Sequence, residues 1–131
     1  MTLPKNANVE AAPNFLTCLG DIYQFFLAQD KGSADARLKQ LKSDLLEAVA
    51  ILAWSPASGR PARFMSANSA QSSFKNIAVR QLAKQTGLPN LREYIVGQHI
   101  VLYAHSETDV VLLAIKHQRQ LLYTAETSKR T

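Results

Sequence analysis

The chain has 131 residues, of which 47% are hydrophobic and 19% charged, a composition typical of one soluble globular domain. Its single cysteine, Cys18, excludes an intrachain disulfide and lies in an apolar run, which favours a buried thiol in a reducing compartment. No apolar stretch reaches the roughly 18 residues that a membrane span needs, and the N-terminus carries no secretory pattern. We therefore expect a cytoplasmic protein that does not contact a membrane.

The net charge of +5 is unevenly distributed along the chain. Residues 1–57 hold five Lys/Arg against six Asp/Glu, whereas residues 58–119 hold eight Lys/Arg against three Asp/Glu. A basic second half indicates an acidic partner, which would be nucleic acid or an acidic protein segment. The alternative is a solvated basic surface without a partner.

Two amphipathic helices are predicted in the first half of the chain, after a possible short strand at residues 8–12. Asn14 is a candidate N-cap for the first helix and Ser33 for the second, which ends before Ser55 because that residue precedes a proline. The short break at residues 30–33 predicts an antiparallel helical hairpin. Apolar residues recur at helical spacing in both segments: Phe15, Leu19, Ile22, Phe25 and Phe26, then Leu38, Leu41, Leu45, Val49 and Leu52.

The second half is predicted to contain a third helix and then an antiparallel sheet. After a turn-rich link and an irregular stretch at 62–68, a weaker helix covers 69–86 and ends at Gly87. Helices followed by a meander predict an α+β fold, in a single domain whose ends, residues 1–12 and 124–131, are flexible. Val, Ile, Leu and Tyr are concentrated in three to four predicted strands, at residues 91–96, 99–105, 109–117 and possibly 120–123.

Short turns fix the register of the predicted sheet. A two-residue turn at Gly97-Gln98 pairs Val96 with His99 and Arg92 with Tyr103, and a three-residue turn at 106–108 pairs His105 with Asp109. One face, here the aliphatic face, is then expected to pack on the helices. It carries Leu91, Glu93, Ile95, Ile100, Leu102, Ala104, Val110, Leu112, Ala114 and Lys116. The other, the Arg/Tyr/His face, carries Arg92, Tyr94, Val96, His99, Val101, Tyr103, Val111, Leu113, Ile115 and His117.

The Arg/Tyr/His face is the predicted partner-binding surface, because rings and cations can stack on bases and contact phosphates, or dock an acidic protein. The alternative is cross-strand packing without a ligand. No metal site is expected, since His99 and His105 are roughly 20 Å apart on one strand and His99 with His117 lacks a third ligand. The candidate contacts are Arg92, Tyr94, His99, Tyr103, His117 and Arg119, with additional basic contacts from Arg60, Arg63 and Lys116.

The order of these segments resembles a known family. Residues 91–96, 99–103 and 111–120 resemble the Arg-Glu strand opening, the strand ending in Leu-Tyr and the Lys-His-Gln-Arg close of the ParE-type members of the RelE/ParE toxin superfamily. The Gly-Arg-Pro of residues 55–61 resembles the link that follows the helical hairpin in these toxins. The resemblance covers residues 13–61 and 91–123, and residues 63–90 are interpreted as an inserted segment that holds the third helix.

The resemblance implies the toxin of a type II toxin–antitoxin pair, also called a plasmid stabilisation pair. ParE-type members arrest growth by binding DNA gyrase, without a cofactor. Such a toxin is neutralised in a hetero-oligomer with its cognate antitoxin, which supplies an acidic, partly disordered segment that folds on binding.

Two alternatives accompany this interpretation. RelE-type members cut messenger RNA on the ribosome, and His117, Arg119 and Tyr123 are the candidate acid, charge stabiliser and stacking ring for that reaction. Ile100 argues against cleavage, because those nucleases commonly place an arginine at the matching strand position and an isoleucine cannot stabilise an oxyanion. The other alternative is a non-toxic member that keeps the fold and binds an antitoxin-like partner.

Overall fold

The architecture is α+β, as predicted. The computed structural model describes residues 6–62, 70–120 and 123, and within α3 it describes side chains from Ile77 onward. None of the helices in these ranges is long and apolar enough to cross a bilayer. The elements in chain order are β1 (Asn8–Ala11), α1 (Pro13–Gln29), α2 (Ala34–Trp54), a 3-10 turn (Pro56–Ser58), β2 (Arg60–Pro61), α3 (Ala70–Gln85), β3 (Asn90–Val96), β4 (His99–His105) and β5 (Asp109–His117).

Helices α1 and α2 form the predicted hairpin, and their observed ends agree with the predicted ends in part. Ser33 stands at the N-cap position of α2 but makes no side-chain cap hydrogen bond, and α2 ends at Trp54, immediately before Ser55. The prediction that Asn14 caps α1 was wrong, because α1 begins at Pro13. The Asn14 amide instead donates a hydrogen bond to the Leu113 carbonyl at 3.0 Å, which ties α1 to β5.

The sheet has five strands in the order β1-β5-β4-β3-β2, rather than the three to four antiparallel strands predicted. Strand β1 runs parallel to β5, and all other neighbours are antiparallel. The sequence analysis missed β2, whose Pro61 is tolerated at the sheet edge because an edge strand does not need every N–H group. Of the possible last strand, Gln120 and Tyr123 are not in a strand, and residues 121–122 lie outside the described part of the chain.

The register of β3 with β4 is as predicted, and that of β4 with β5 is not. Gly97 has a φ of 59°, and Val96 pairs with His99. At the second turn His105 pairs with Val110, one residue later than predicted. The Ser106 hydroxyl oxygen accepts the backbone N–H groups of residues 108 and 109 at 3.2 and 3.1 Å, which lengthens the turn.

A β-bulge then shifts the pairing once more. Leu102 pairs with Ala114, whereas Tyr103 pairs with Leu112, so Leu113 is the extra residue on β5. The longer turn and the bulge together shift the pairing by two residues, so Ile115 and His117 lie on the Arg/Tyr/His face, as predicted. The residues nearer the turn exchange faces relative to the prediction: Val110 and Leu112 lie opposite His105 and Tyr103, and Val111 lies opposite Ala104.

The helical hairpin packs on the Arg/Tyr/His face, and the predicted choice of face was therefore wrong. The ring centroids of Phe26 on α1 and His99 on β4 are 6.2 Å apart, and Tyr103 is 0% exposed. Strand β4 is buried at all seven positions because both of its faces are covered. Alternation of residue types therefore cannot identify the helix-covered face of such a strand.

The aliphatic face is covered by Tyr123 and bordered by α3. Tyr123 is 2% exposed, and its hydroxyl donates to the Glu93 carboxylate at 2.5 Å. Helix α3 agrees with the predicted span of 69–86, and Gly87 follows it with a φ of 70°. Of the stretch predicted to be irregular, only Ala62 is within the described residues.

Candidate partner-binding cleft

A cleft of about 610 Å³ opens between α1 and the end of the sheet where β4 begins and β5 ends. It lies on the Arg/Tyr/His face, beyond the part of that face that the hairpin buries. The loop after β5 forms one rim, and the start of α2 contributes to the other. We call it the cationic cleft; the residues that line it are Cys18, Asp21, Ile22, Phe25, Gln29, Arg37, Gln98, His99, Ile115, His117, Gln118, Arg119 and Gln120.

Two histidines from neighbouring strands form its floor. His99 and His117 are cross-strand partners, and their ring centroids lie 5.4 Å apart in an edge-to-face arrangement. His117 accepts the backbone N–H of Arg119 on Nδ1 at 3.1 Å, so its neutral ring carries the hydrogen on Nε2. This contact also turns the chain after β5, which places the exposed Arg119 at the rim.

The helical side of the cleft presents a cation beside an exposed ring. The Arg37 guanidinium lies over the Phe26 ring at 4.1 Å and donates to the Gln29 side-chain oxygen at 2.9 Å. Both contacts hold the Arg37 side chain in place, although this residue is exposed to solvent. Phe25 is 54% exposed although it is aromatic, so the cleft offers an apolar contact next to its charges.

The charges of the cleft are mainly positive. Arg37 and Arg119 are permanently charged, and Asp21 is the single carboxylate among the described residues that line the cleft. Burial lowers the pKa of His99, and the nearby His117 and Arg37 lower it further. The cleft can therefore hold an anionic group, while His99 stays neutral in the free protein at neutral pH.

We expect the stability of the protein to fall on acidification, with His99 as one cause. Because the folded-state pKa of His99 lies below its ordinary value of 6.5, its contribution is complete above that value and is lost as pH falls through the folded pKa. Urea unfolding at pH 8, 6.5 and 5 should therefore show a smaller acid-induced loss of stability in His99→Gln than in the unmodified protein. Equal losses in the two proteins would contradict this assignment.

Other predicted contact residues hold the fold together instead of lining the cleft. Tyr103 donates to the Pro56 carbonyl at 2.7 Å and accepts the Gly59 N–H at 2.9 Å. Arg92 donates through Nε to Nε2 of the buried His105 at 3.0 Å and to the Gly59 carbonyl at 2.9 Å. These hydrogen bonds tie Tyr103 and Arg92 to the link between α2 and β2.

The remaining candidates divide between the two faces. Tyr94 is half-buried on the Arg/Tyr/His face. Lys116 is 8% exposed on the aliphatic face and donates to the Gln120 carbonyl at 2.6 Å. Arg60 forms an ion pair with Glu93 at 3.3 Å, and Arg63 lies outside the described residues. Only His99, His117 and Arg119 of the predicted contacts therefore meet in one cleft.

The sequence of this chain matches the family described as the ParE toxin of the type II toxin–antitoxin system parDE, over residues 9–122. The chain belongs to the ParE toxin family. Its fold is similar to a structure described as the chromosomal ParDE toxin–antitoxin system from P. aeruginosa, with a TM-score of 0.54 and 12% sequence identity over 85% of this chain and 95% of that one. Comparison with the curated proteins gave no match.

Of the three nuclease candidates of this ParE-family chain, His117 and Arg119 line the cationic cleft and Tyr123 does not. His117 faces the cationic cleft, where its ring contacts His99. Tyr123 lies on the opposite face of the sheet, beneath a Lys116 ammonium 5.2 Å from its ring centroid. Burial and the hydrogen bond to Glu93 raise the pKa of Tyr123. His117 and Tyr123 therefore cannot act on one phosphate, and the described residues contain no cluster that could hold a metal ion in their place.

The sequence analysis did not assign Phe25 or Arg37 of this ParE-family chain to a binding site. Phe25 and Phe26 were both assigned to the apolar stripe of α1, but adjacent helical residues point about 100° apart. Since Phe26 is 4% exposed in the core, Phe25 must point outward. No sequence pattern indicated that Arg37 lines a cleft, because its position depends on how α2 packs beside Phe26.

Proposed function

We propose that this ParE-family chain is the growth-arresting toxin of a plasmid stabilisation pair, that it acts in the cytoplasm by binding DNA gyrase, and that an antitoxin neutralises it. The antitoxin contributes an acidic segment that occupies the cationic cleft, and the two proteins form a hetero-oligomer. The observation that carries the proposal is the cleft itself, which is lined by Arg37, Arg119 and the exposed ring of Phe25.

The chemistry of the cleft favours a peptide with carboxylates and a bulky apolar side chain. Carboxylates can form charge-assisted hydrogen bonds with the guanidinium groups of Arg37 and Arg119. An apolar side chain can cover Phe25, which removes an exposed aromatic surface from water. A segment that is disordered when free would order on this site.

Gyrase is favoured over messenger RNA as the target because the sheet separates Tyr123 from the other two nuclease candidates, His117 and Arg119. The family resemblance implies gyrase as the target, and binding to gyrase needs no catalytic residues. Ile100 agrees with this choice, since it is a buried aliphatic residue of β4 and offers no charge to a phosphate.

Inducible expression with and without the adjacent gene tests the toxin role. We expect growth arrest when the chain is expressed alone and recovery when the neighbouring open reading frame is co-expressed. Purified protein should inhibit gyrase supercoiling at micromolar concentration, while transcripts in the arrested cells remain intact. Translation-dependent cleavage of transcripts would replace gyrase with the ribosome, and harmless expression of the folded chain would show a non-toxic family member.

Charge reversal in the cationic cleft is expected to weaken antitoxin binding. In Arg37→Glu/Arg119→Glu, carboxylates of the partner would meet like charges, so the dissociation constant should rise at least about tenfold. The matched control is Lys39→Glu/Lys42→Glu, which makes the same change of charge at exposed positions of α2 outside the cleft. Isothermal titration calorimetry measures both, and circular dichroism checks that each variant is folded. Equal weakening in the two variants would mean that only net charge matters.

A further inference from the structure

A second groove lies on the opposite side of the sheet from the cationic cleft. It has a volume of about 400 Å³ and runs between α3 and the starting end of β3. Ile77 on α3 is 53% exposed there, although it is aliphatic. We call it the α3 groove; its lining consists of Ile77, Arg80, Gln81, Ala83, Lys84, Leu88, Pro89, Asn90, Leu91 and Ala104.

The α3 groove lies in a part of the chain without carboxylates. Between Glu47 and Glu93 the sequence contains no Asp or Glu and six Lys/Arg residues. Two of these six, Arg80 and Lys84, are exposed and line the groove. No acidic side chain stands among the described residues that line it, and these give the groove a positive rim and an aliphatic floor.

The aliphatic floor favours a peptide over nucleic acid. Proteins that bind single strands stack bases on aromatic rings, and the described residues of the groove include no aromatic ring. The floor is instead formed by side chains such as Leu88 and Leu91, which suit an aliphatic side chain of a partner. Arg80 and Lys84 are four residues apart on α3, a rise of about 6 Å, and therefore match two carboxylates at a similar spacing.

We infer that the α3 groove is a second docking site, which binds an acidic segment of the antitoxin through two carboxylates and an aliphatic side chain. The inference rests on the proposed function in taking the antitoxin as the partner. It concerns a different surface, because the cationic cleft lies on the Arg/Tyr/His face and the α3 groove on the aliphatic face. The segment between residues 63 and 90, interpreted from the sequence as an insertion, thereby gains a role in partner choice.

The test is calorimetric titration of the full chain with the antitoxin polypeptide encoded by the adjacent gene. The full chain is co-expressed with the antitoxin, separated from it in denaturant and refolded. Arg80→Glu/Lys84→Glu should raise the dissociation constant at least about tenfold, and Ile77→Asn should raise it several-fold. The matched control is again Lys39→Glu/Lys42→Glu, which should stay within about twofold of the unmodified chain. Circular dichroism confirms that every variant keeps its helices.

Three results would overturn the inference in distinguishable ways. If Arg80→Glu/Lys84→Glu binds the antitoxin like the unmodified chain while Arg37→Glu/Arg119→Glu does not, the α3 groove is excluded and the proposed function stands. If the unmodified chain does not bind the antitoxin polypeptide at all, the neutralisation part of the proposed function fails together with the groove. If the groove variant loses binding to a fluorescein-labelled 20-base-pair DNA duplex and keeps antitoxin binding, the groove belongs to nucleic acid.

Discussion

Gly59→Ala is expected to lower the free energy of unfolding by about 3 kcal/mol, and the melting temperature by roughly 10 °C. A β-carbon at this position would lie 2.6 Å from the Tyr103 hydroxyl and still closer to the backbone carbonyl oxygen of Glu93. Tyr103 cannot move aside, because it is fully buried and its hydroxyl is hydrogen-bonded to the Pro56 carbonyl and to the N–H of Gly59 itself. The chain between α2 and β2 would therefore have to move away from the sheet.

A second glycine supplies the control for this experiment. Gly20 lies in the interior of α1 at an exposed position, and a β-carbon there would meet no atom within 4 Å. Gly20→Ala should therefore raise the free energy of unfolding by about 1 kcal/mol, through helix propensity alone. Both values come from urea unfolding followed by circular dichroism. A Gly59→Ala protein as stable as the unmodified one would show that the link to β2 is not tightly held.

The behaviour of Gly59 gives a physical meaning to the Gly-Arg-Pro link of the sequence analysis. Glycine allows the backbone to approach Tyr103 and Glu93, the next residue Arg60 pairs with Glu93, and Pro61 ends the pairing at the sheet edge. This link contributed to the family resemblance, but the sequence did not predict that it contains strand β2. A strand of two residues has no periodicity to detect.

The elements that were predicted correctly are those whose signals are local. Gly97 at a positive φ sets the first hairpin, and the proline after Ser55 ends α2. The errors arose where one side-chain hydrogen bond or one inserted residue decides the strand pairing. The Ser106 hydroxyl lengthened the second turn, and the bulge at Leu113 then shifted the remaining pairs of β5.

The candidate site was predicted in part for the same reason. His99 and His117 were placed on one face by the register of the strands, and that relation survives because the turn and the bulge together shift the pairing by two residues. Arg37 and Phe25 belong to helices, whose position over the sheet depends on tertiary packing. The sequence could not show that the hairpin would cover Tyr103 and leave the two histidines at its border.

Glu93→Ala is expected to destabilise the protein by about 4 kcal/mol, because it removes a buried carboxylate and leaves its hydrogen-bonding and charged partners without it. Glu93 is 3% exposed and accepts hydrogen bonds from Tyr123 and from Arg60. Its charge also raises the pKa of Lys116, which burial lowers more strongly. Without Glu93, the Tyr123 hydroxyl would lose its carboxylate acceptor, and the buried Lys116 ammonium would lose the counter-charge of Glu93.

A double-mutant cycle separates the contribution of Tyr123 from that of Arg60. Tyr123→Phe should cost about 2 kcal/mol, as expected for a buried hydrogen bond to a charged group. Arg60→Ala should cost at most about 1 kcal/mol, since a third of the Arg60 side chain is exposed to solvent. In the double variant Glu93→Ala/Tyr123→Phe the loss should be smaller than the sum of the single losses by about 1–2 kcal/mol.

The pH dependence of Tyr123→Phe provides an independent check. The folded-state pKa of Tyr123 is raised above its ordinary value of 10.0 by burial and by Glu93, so its contribution to stability is complete below that value and is lost as pH rises above it. The unmodified protein should therefore lose stability between pH 9 and 11 more steeply than Tyr123→Phe. Additive losses in the cycle together with identical alkaline profiles would mean that Tyr123 covers the aliphatic face by packing alone. Coupled losses would instead identify the hydrogen bond to Glu93 as the contact that holds Tyr123 on the sheet.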